Sequence, residues 1–502
     1  MAEPIVEIST GKIKGYEREG VYIFKGIPYG GRTDGTRRFL PPTKPEPWKG
    51  VREALQFGPR CFQTSGGISQ VVAQARIWPA FKRVEPESEN CLYLNIWTPA
   101  IGDGRKRPIL FWCHGGGFFQ GSGADPRTDG TRLAKDGDVV VITVNHRLGP
   151  LGFLYLGEWA DGEFSRSGNA GMLDLVLALE WVQENIEVFG GDPNNVTIFG
   201  CSGGGGKVST LMAMPRAKGL FHKAVIQSAY GLRMSTPEDA WKTTERILHH
   251  LGLKTSQIKA LQDVPVGQLW EAYHKAVNWQ PEKFARQGRH IALSPVVDGH
   301  DLPQHPFDPH ASPLSADVPL LTGTTKDEAT LFLLSDPQLG SIDEKGMHKW
   351  LSLYFGDNAQ SVLDSYRHIY SELSPNDLLI KILSDRITIK DSITLAERKV
   401  AQNGAKVFMY QFAWESPVRG GIMKAMHGLE VPFVFQNVHV VPHLTGEGPE
   451  VLALAKKISR AWVQFAWCGN PGHQGLPPWP PYTLEERATM IFDRKCKLVY
   501  GQ

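Results

Sequence analysis

The stretch Phe199-Gly200-Cys201-Ser202-Gly203-Gly204 follows the apolar run Val196-Thr197-Ile198-Phe199 and precedes a segment able to start a helix. Gly-x-Ser-x-Gly at a strand-to-helix turn forms a nucleophile elbow, with the serine hydroxyl lifted clear of the backbone. Glycine is needed beside it, because a side chain there would meet the neighbouring strand and helix. The pattern recurs by chance in long chains, so its weight depends on what else this sequence supplies.

A serine hydroxyl is a weak nucleophile unless a base takes its proton and an acid orients that base. In chains with such an elbow, the order is serine, then Asp or Glu, then histidine. Thr322-Gly323-Thr324-Thr325-Lys326-Asp327-Glu328 follows the apolar run Val318-Pro319-Leu320-Leu321, which puts a carboxylate just past a strand end. Met426-His427-Gly428-Leu429-Glu430-Val431-Pro432-Phe433 places a histidine in a loop after the strand-like run 407–412. Upstream, His114-Gly115-Gly116-Gly117-Phe118 directly follows Ile109-Leu110-Phe111-Trp112-Cys113. Three glycines leave backbone N–H groups unshielded, as an oxyanion hole requires, and each donor is worth about 3–4 kcal/mol to the transition state. Taken singly these are a surface carboxylate, a loop histidine and a Gly-rich turn. In this order and context they read as one active site.

Further words identify a lineage. They are Phe24-Lys25-Gly26-Ile27-Pro28-Tyr29, Glu89-Asn90-Cys91-Leu92-Tyr93-Leu94-Asn95, Asn145-His146-Arg147-Leu148-Gly149 and Gly168-Asn169-Ala170-Gly171. Trp181-Val182-Gln183-Glu184-Asn185-Ile186, Phe189-Gly190-Gly191-Asp192-Pro193 and Pro295-Val296-Val297-Asp298-Gly299 continue the series. With these, the chain resembles the type-B carboxylesterase family, which includes the cholinesterases, from about residue 5 to its C-terminus. The resemblance implies an α/β-hydrolase fold with Ser202 as nucleophile and His427 as base. It selects Glu328 rather than Asp327 as the acid, and the backbone N–H groups of Gly116, Gly117 and Gly203 as oxyanion donors. It also implies a disulfide between Cys61 and Cys91 closing a loop over the gorge mouth, worth roughly 3–4 kcal/mol in a chain-entropy account. The family's second common disulfide cannot form, since no cysteine lies between Cys201 and Cys468.

The chain departs from the family in several places. The family's elbow usually reads Gly-Glu-Ser-Ala-Gly, so Cys201 replaces a glutamate that helps cholinesterases hold a cationic substrate. A protonated thiol cannot do this, and choline esters are not expected as substrates. Cys201 occupies the elbow position that points away from the substrate face, so it is not expected to be the nucleophile. The run Gly203-Gly204-Gly205-Gly206 is unusual in a helix, where each glycine costs about 0.5–1 kcal/mol relative to alanine. It provides room either for close helix packing or for a bulky acyl group. Its continuation into Lys207 is not a phosphate-binding loop, since that motif needs glycine at Cys201 and Ser or Thr at Val208. No nucleotide cofactor is expected. Gly30-Gly31-Arg32-Thr33-Asp34-Gly35 replaces a proline-rich turn at the gorge mouth and is expected to alter access. His146 stands where the family prefers tyrosine, which reads as a structural change.

At 502 residues the length alone would allow about three domains. The catalytic words run from His114 to His427 and must converge, so residues 1–502 read as a single domain. Strand-like runs at 109–112, 139–144, 196–199, 224–226, 319–321 and 407–412 alternate with helical patterns, notably 173–188. That alternation predicts a central, mostly parallel sheet flanked by helices. Residues 230–317 and 331–402 are helical in pattern and poor in catalytic words. They are expected to be insertions walling a substrate gorge, with Trp78, Trp241, Trp270, Tyr273 and Trp279 as candidates for an apolar lining. His300, His305 and His310 have no metal-site spacing, so no metal is expected.

Hydrophobic content of 41% and a net charge of +2 suit a soluble globular enzyme and suggest neither nucleic acid nor acidic membrane as partner. No apolar run is long enough for a membrane span. The N-terminus Met1-Ala2-Glu3-Pro4 shows no signal peptide, at odds with the implied disulfide. The expected compartment is therefore secreted or periplasmic if a leader is missing, and otherwise cytoplasmic. The expected partner is a small-molecule ester, with the protein a monomer or homodimer. The expected reaction is hydrolysis of small to medium apolar or aromatic carboxylic esters through an acyl-enzyme. Amide or carbamate hydrolysis on the same machinery is the first alternative. A non-catalytic cholinesterase-like binding protein is the second, disfavoured because Ser202, Glu328 and His427 are all present.

Overall fold

Short runs rich in Val, Ile, Phe and Leu, each ended by glycine or a polar turn, form the strands of one large sheet. The computed structural model describes residues 3–64, 85–157, 162–229, 231–277 and 293–501. Its main sheet has 11 strands. From Val140–Val144 the order runs through Arg107–Cys113, Gly191–Cys201, Lys223–Gln227, Leu320–Thr325 and Val407–Phe412 to Thr489–Phe492. Every pairing along that path is parallel. Antiparallel strands close both flanks, with Tyr93–Thr98, Val21–Pro28 and Tyr16–Arg18 on one side and Lys497–Val499 on the other. The central strands are continuous apolar runs because helices cover both faces; all of Arg107–Cys113 and Val140–Val144 is buried. The fold is the α/β-hydrolase fold. The six strand-like runs read from sequence all coincide with strands of this sheet, two of them beginning one residue early, at Val139 and Pro319.

The helix read over 173–188 spans Ala170–Asn185 and then tightens into a 3-10 turn at Ile186–Phe189, closed by Gly190 at φ 72°. Two apolar cores lie on the two faces of the sheet. A third forms among the helices Glu344–Phe355, Ala359–Ile369 and Pro375–Ser384, around Leu351, Leu363, Leu378 and Leu383. Leu334 and Ile422 pack against it and against one face of the sheet. Among the described residues no helix is long and apolar enough to cross a membrane, and no cluster of three or more His, Cys, Asp or Glu side chains is placed to hold a metal ion.

Two expectations are corrected here. Cys61 and Cys91 are both free thiols rather than a disulfide. Both lie in the apolar core, where the Cys61 sulfur accepts the Leu148 N–H at 3.2 Å and its S–H faces the Phe62 carbonyl at 3.5 Å. Burial, and then the adjacent Cys61, push the Cys91 thiol well above its usual range. Among the aromatics offered as a gorge lining, Trp270 and Tyr273 are core side chains, with the Trp270 ring packed against Gly149 and edge-on to Tyr273. Trp241 is half-buried against the same core. Trp78, Trp279 and Tyr230, the first residue of the first expected insertion, lie outside the described residues.

Candidate active site

In an open parallel sheet, ligands bind beyond the carboxyl ends of the strands, and the candidate residues gather there. The strand Gly191–Cys201 ends at Ser202, which starts the helix Gly203–Leu211. Ser202 has φ 60° and ψ −124°, a backbone region strained for any side chain. Its N–H donates to the Gln227 carbonyl at 2.9 Å, and its carbonyl accepts the Gly206 N–H at 3.0 Å. A methyl group on Gly203 would lie 2.2 Å from the Gly117 carbonyl oxygen and 2.5 Å from the Gly117 nitrogen. One on Gly204 would lie 2.1 Å from the Cys113 carbonyl. At these two positions the glycine run serves close packing of the helix on the Gly115–Gly117 loop and the sheet, not space for an acyl group.

Glu328 follows the strand Leu320–Thr325 and is fully buried. One carboxylate oxygen accepts the Thr325 N–H at 2.7 Å, and the other is in close contact with Nδ1 of His427. Asp327 is used differently. Its N–H donates to the Ala425 carbonyl at 3.0 Å and its carboxylate accepts the Ala425 N–H at 3.1 Å. The first acid thus ties the histidine loop to the acid loop, while the second meets the imidazole. No hydrogen bond joins the Ser202 hydroxyl to His427 among the described residues; such bonds commonly tighten only once substrate is bound. The two loops do meet: the Cys201 thiol donates to Glu430 at 3.4 Å, and a methyl on Gly428 would lie 4.0 Å from the Cys201 sulfur.

Burial by itself would lower the His427 imidazole. The Glu328 carboxylate and the more distant Glu430 outweigh it and raise the group above its ordinary value. Cys201 is pushed well up, first by burial and then by Glu430 and Glu328, so it stays a protonated thiol. Gly116 and Gly117 have φ 91° and 62°, conformations that glycine adopts freely. The loop is pinned by the Gln120 N–H on the Gly116 carbonyl at 3.1 Å and by the Gly149 N–H on the Phe118 carbonyl at 2.8 Å. This arrangement can hold a carbonyl between two glycine N–H groups and a serine.

Comparison with known proteins now decides the lineage. A sequence model of the carboxylesterase family matches residues 2–500. The chain belongs to the carboxylesterase family. It is 36% identical over 497 residues to the para-nitrobenzyl esterase of Bacillus subtilis, covering 98% of this chain and 95% of that protein. It is 32% identical over 500 residues to the phenmedipham hydrolase of Pseudarthrobacter oxydans, with 98% and 95% covered. Among solved structures, a carboxylesterase of Geobacillus stearothermophilus superposes with a TM-score of 0.84 at 39% identity, covering 99% of this chain and 97% of that one. As a carboxylesterase, this chain is a carboxylic ester hydrolase.

Two polar residues of this carboxylesterase went unnoticed in its sequence. Glu430 lies within the quoted histidine segment, yet nothing there marks it as buried. It accepts from Cys201 and, at 3.2 Å, from Gln227 Nε2, and among the described residues its other oxygen has no partner. Burial, and then Glu328, raise its pKa. Lys207 stands in the sequence only as the residue that ends the glycine run. Its signal was a lone cation in Gly203–Leu211, a helix otherwise of glycine, small polar and apolar residues.

Proposed function

We propose that ester cleavage proceeds through an acyl-enzyme on Ser202, with His427 as base and Glu328 as its orienting acid. The observation that carries this reading is the buried Glu328–His427 pair at the sheet's carboxyl edge, on a loop that touches the elbow. His427 Nε2 takes the Ser202 proton as the hydroxyl attacks the ester carbonyl. The N–H groups of Gly116, Gly117 and Gly203 receive the negative charge that develops on the carbonyl oxygen. His427 then protonates the departing alkoxide, and the freed alcohol leaves. Water attacks the acyl-serine by the same route, with His427 returning the proton to Ser202. Glu328 holds the Nδ1–H tautomer and balances the transient imidazolium charge.

The preferred substrates in this reading are small to medium apolar or aromatic esters. The half-buried Phe332 ring lies 5.6 Å from the His427 ring, and the elbow carries a neutral thiol where an acidic anchor for cations would stand. The segments 230–317 and 331–402 supply the gorge wall. A p-nitrophenyl butyrate assay against the matched anilide tests the preference. The ester should turn over at least about 10²-fold faster per active site, a difference that equal or reversed rates would refute.

Histidine must be neutral to act as base, so a raised pKa moves the loss of activity on acidification to higher pH. The rising limb of kcat/KM should therefore have its midpoint above the imidazole's usual value of about 6.5. A profile that stays flat between pH 5 and 8 would count against His427.

A further inference from the structure

We infer that Lys207 is a positioning residue for ester cleavage, its buried ammonium tying both ends of the oxyanion loop so that the Gly116 and Gly117 N–H groups converge on the substrate carbonyl. The inference rests on the assignment of those groups as oxyanion donors. Lys207 is fully enclosed on the helix Gly203–Leu211, five residues beyond Ser202. It donates to the His114 carbonyl at 2.8 Å and to the Gly117 carbonyl at 2.9 Å. Those two carbonyls bracket the Gly115-Gly116 pair, so one cation fixes both sides of the turn that carries the donors. Glycine backbones have many alternative conformations, and a single peptide flip would aim a donor away from the substrate. The Phe118 ring, 5.6 Å from the Lys207 nitrogen, adds a further contact on the same loop.

The charge around Lys207 supports this role. The titratable groups that face it are Cys113, His114 and His146, and none is an anion at neutral pH. Burial pushes the Cys113 thiol up to about 12. Burial, and then Lys207 itself, bring His114 down to about 3 and His146 well below its usual value. The two imidazoles stack at 5.0 Å, each with Nδ1 on a backbone carbonyl and, among the described residues, Nε2 without a partner. His146 and Lys207 thus belong to one cluster in which both imidazoles stay neutral and Lys207 is the group able to carry positive charge. Among the described residues no carboxylate pairs with Lys207, and burial lowers it to about 7. An isolated cation in an apolar interior is costly unless something compensates it. Here the His114 and Gly117 carbonyls compensate it at rest, so the ammonium's free energy depends on the loop keeping the shape in which both carbonyls face it.

The test compares the full chain with Lys207→Met, using p-nitrophenyl butyrate, active-site titration with a fluorophosphonate, and inhibition by an alkyl trifluoromethyl ketone. The ketone forms a hemiketal oxyanion with the serine and so reports the hole directly. The variant should lose about 10²-fold in kcat per titrated site, with KM changed less than about threefold. The inhibitor's Ki should rise by about the factor lost in kcat/KM. A kcat per titrated site within about threefold of the parent overturns the inference. So does an unchanged Ki with only the active fraction reduced, which is how a purely structural lysine would behave. Should Lys207→Met not fold, Lys207→Gln is measured in the same way, and failure of both to fold also rejects a positioning role. Ser202→Ala is assayed alongside; if it stays active, the acyl-enzyme reading itself fails, whatever Lys207 does.

Discussion

Ser202→Ala is expected to lower kcat on p-nitrophenyl esters by about 10⁶-fold, leaving only the turnover that binding and the oxyanion donors provide. Fluorophosphonate labelling should vanish with it. Cys201→Ala, one residue away, should retain both activity and labelling. The contrast follows from where the two side chains sit. Ser202 occupies the strained turn and is partly exposed, whereas Cys201 is buried on the opposite side with its S–H on Glu430. A buried thiol beside two carboxylates is held in its unreactive form. Labelling that survives in Ser202→Ala and disappears in Cys201→Ala would reverse the assignment.

Glu328→Gln should lower kcat by about 10⁴-fold while the protein still folds. The Thr325 N–H would keep an oxygen of the new amide at its present place, turning the amide nitrogen toward His427 Nδ1. An amide N–H facing Nδ1 favours the tautomer with its proton on Nε2, the atom that must accept the serine proton. Loss of the anion also leaves burial as the main influence on the imidazole, so the remaining activity should persist to lower pH than in the parent. Asp327→Asn is the matched control. Its carboxylate holds the Ala425 N–H rather than the imidazole, so its kcat should stay within about tenfold of the parent. Equal losses in the two variants would remove the distinction between the acids.

Much of this was legible before any coordinates. The parallel sheet could be read because its strands are unbroken runs such as 109–113 and 407–412, which burial on both faces requires. The elbow and the acid loop could be placed because each directly follows such a run, and the histidine because it lies in the loop region after another. What escaped were relations between residues far apart in the chain. Lys207 and His114 are 93 positions apart, and Cys201 and Glu430 are 229 apart. No local pattern says that a lysine after a glycine run will end on a carbonyl of another loop. The two cysteines failed for a different reason. Their pairing came from resemblance, and family likeness does not say whether two thiols enclosed by apolar side chains are joined; here both are free. The aromatics failed because an indole is as much at home in a core as in a gorge, and Trp270 is in the core.

The helices from Glu344 to Ser384 have a hydrophobic centre of their own, joined to the sheet's centre mainly through Leu334 and Ile422. Ala329 and Leu333, just past Glu328, belong to that same centre, and the Ala329 N–H donates to Ser384 Oγ at 3.0 Å, so changes in side-chain volume there reach the loop that carries the acid. Replacements in that segment should therefore leave Ser384 and the side chains around Ala329 unchanged, so that Glu328 keeps its place.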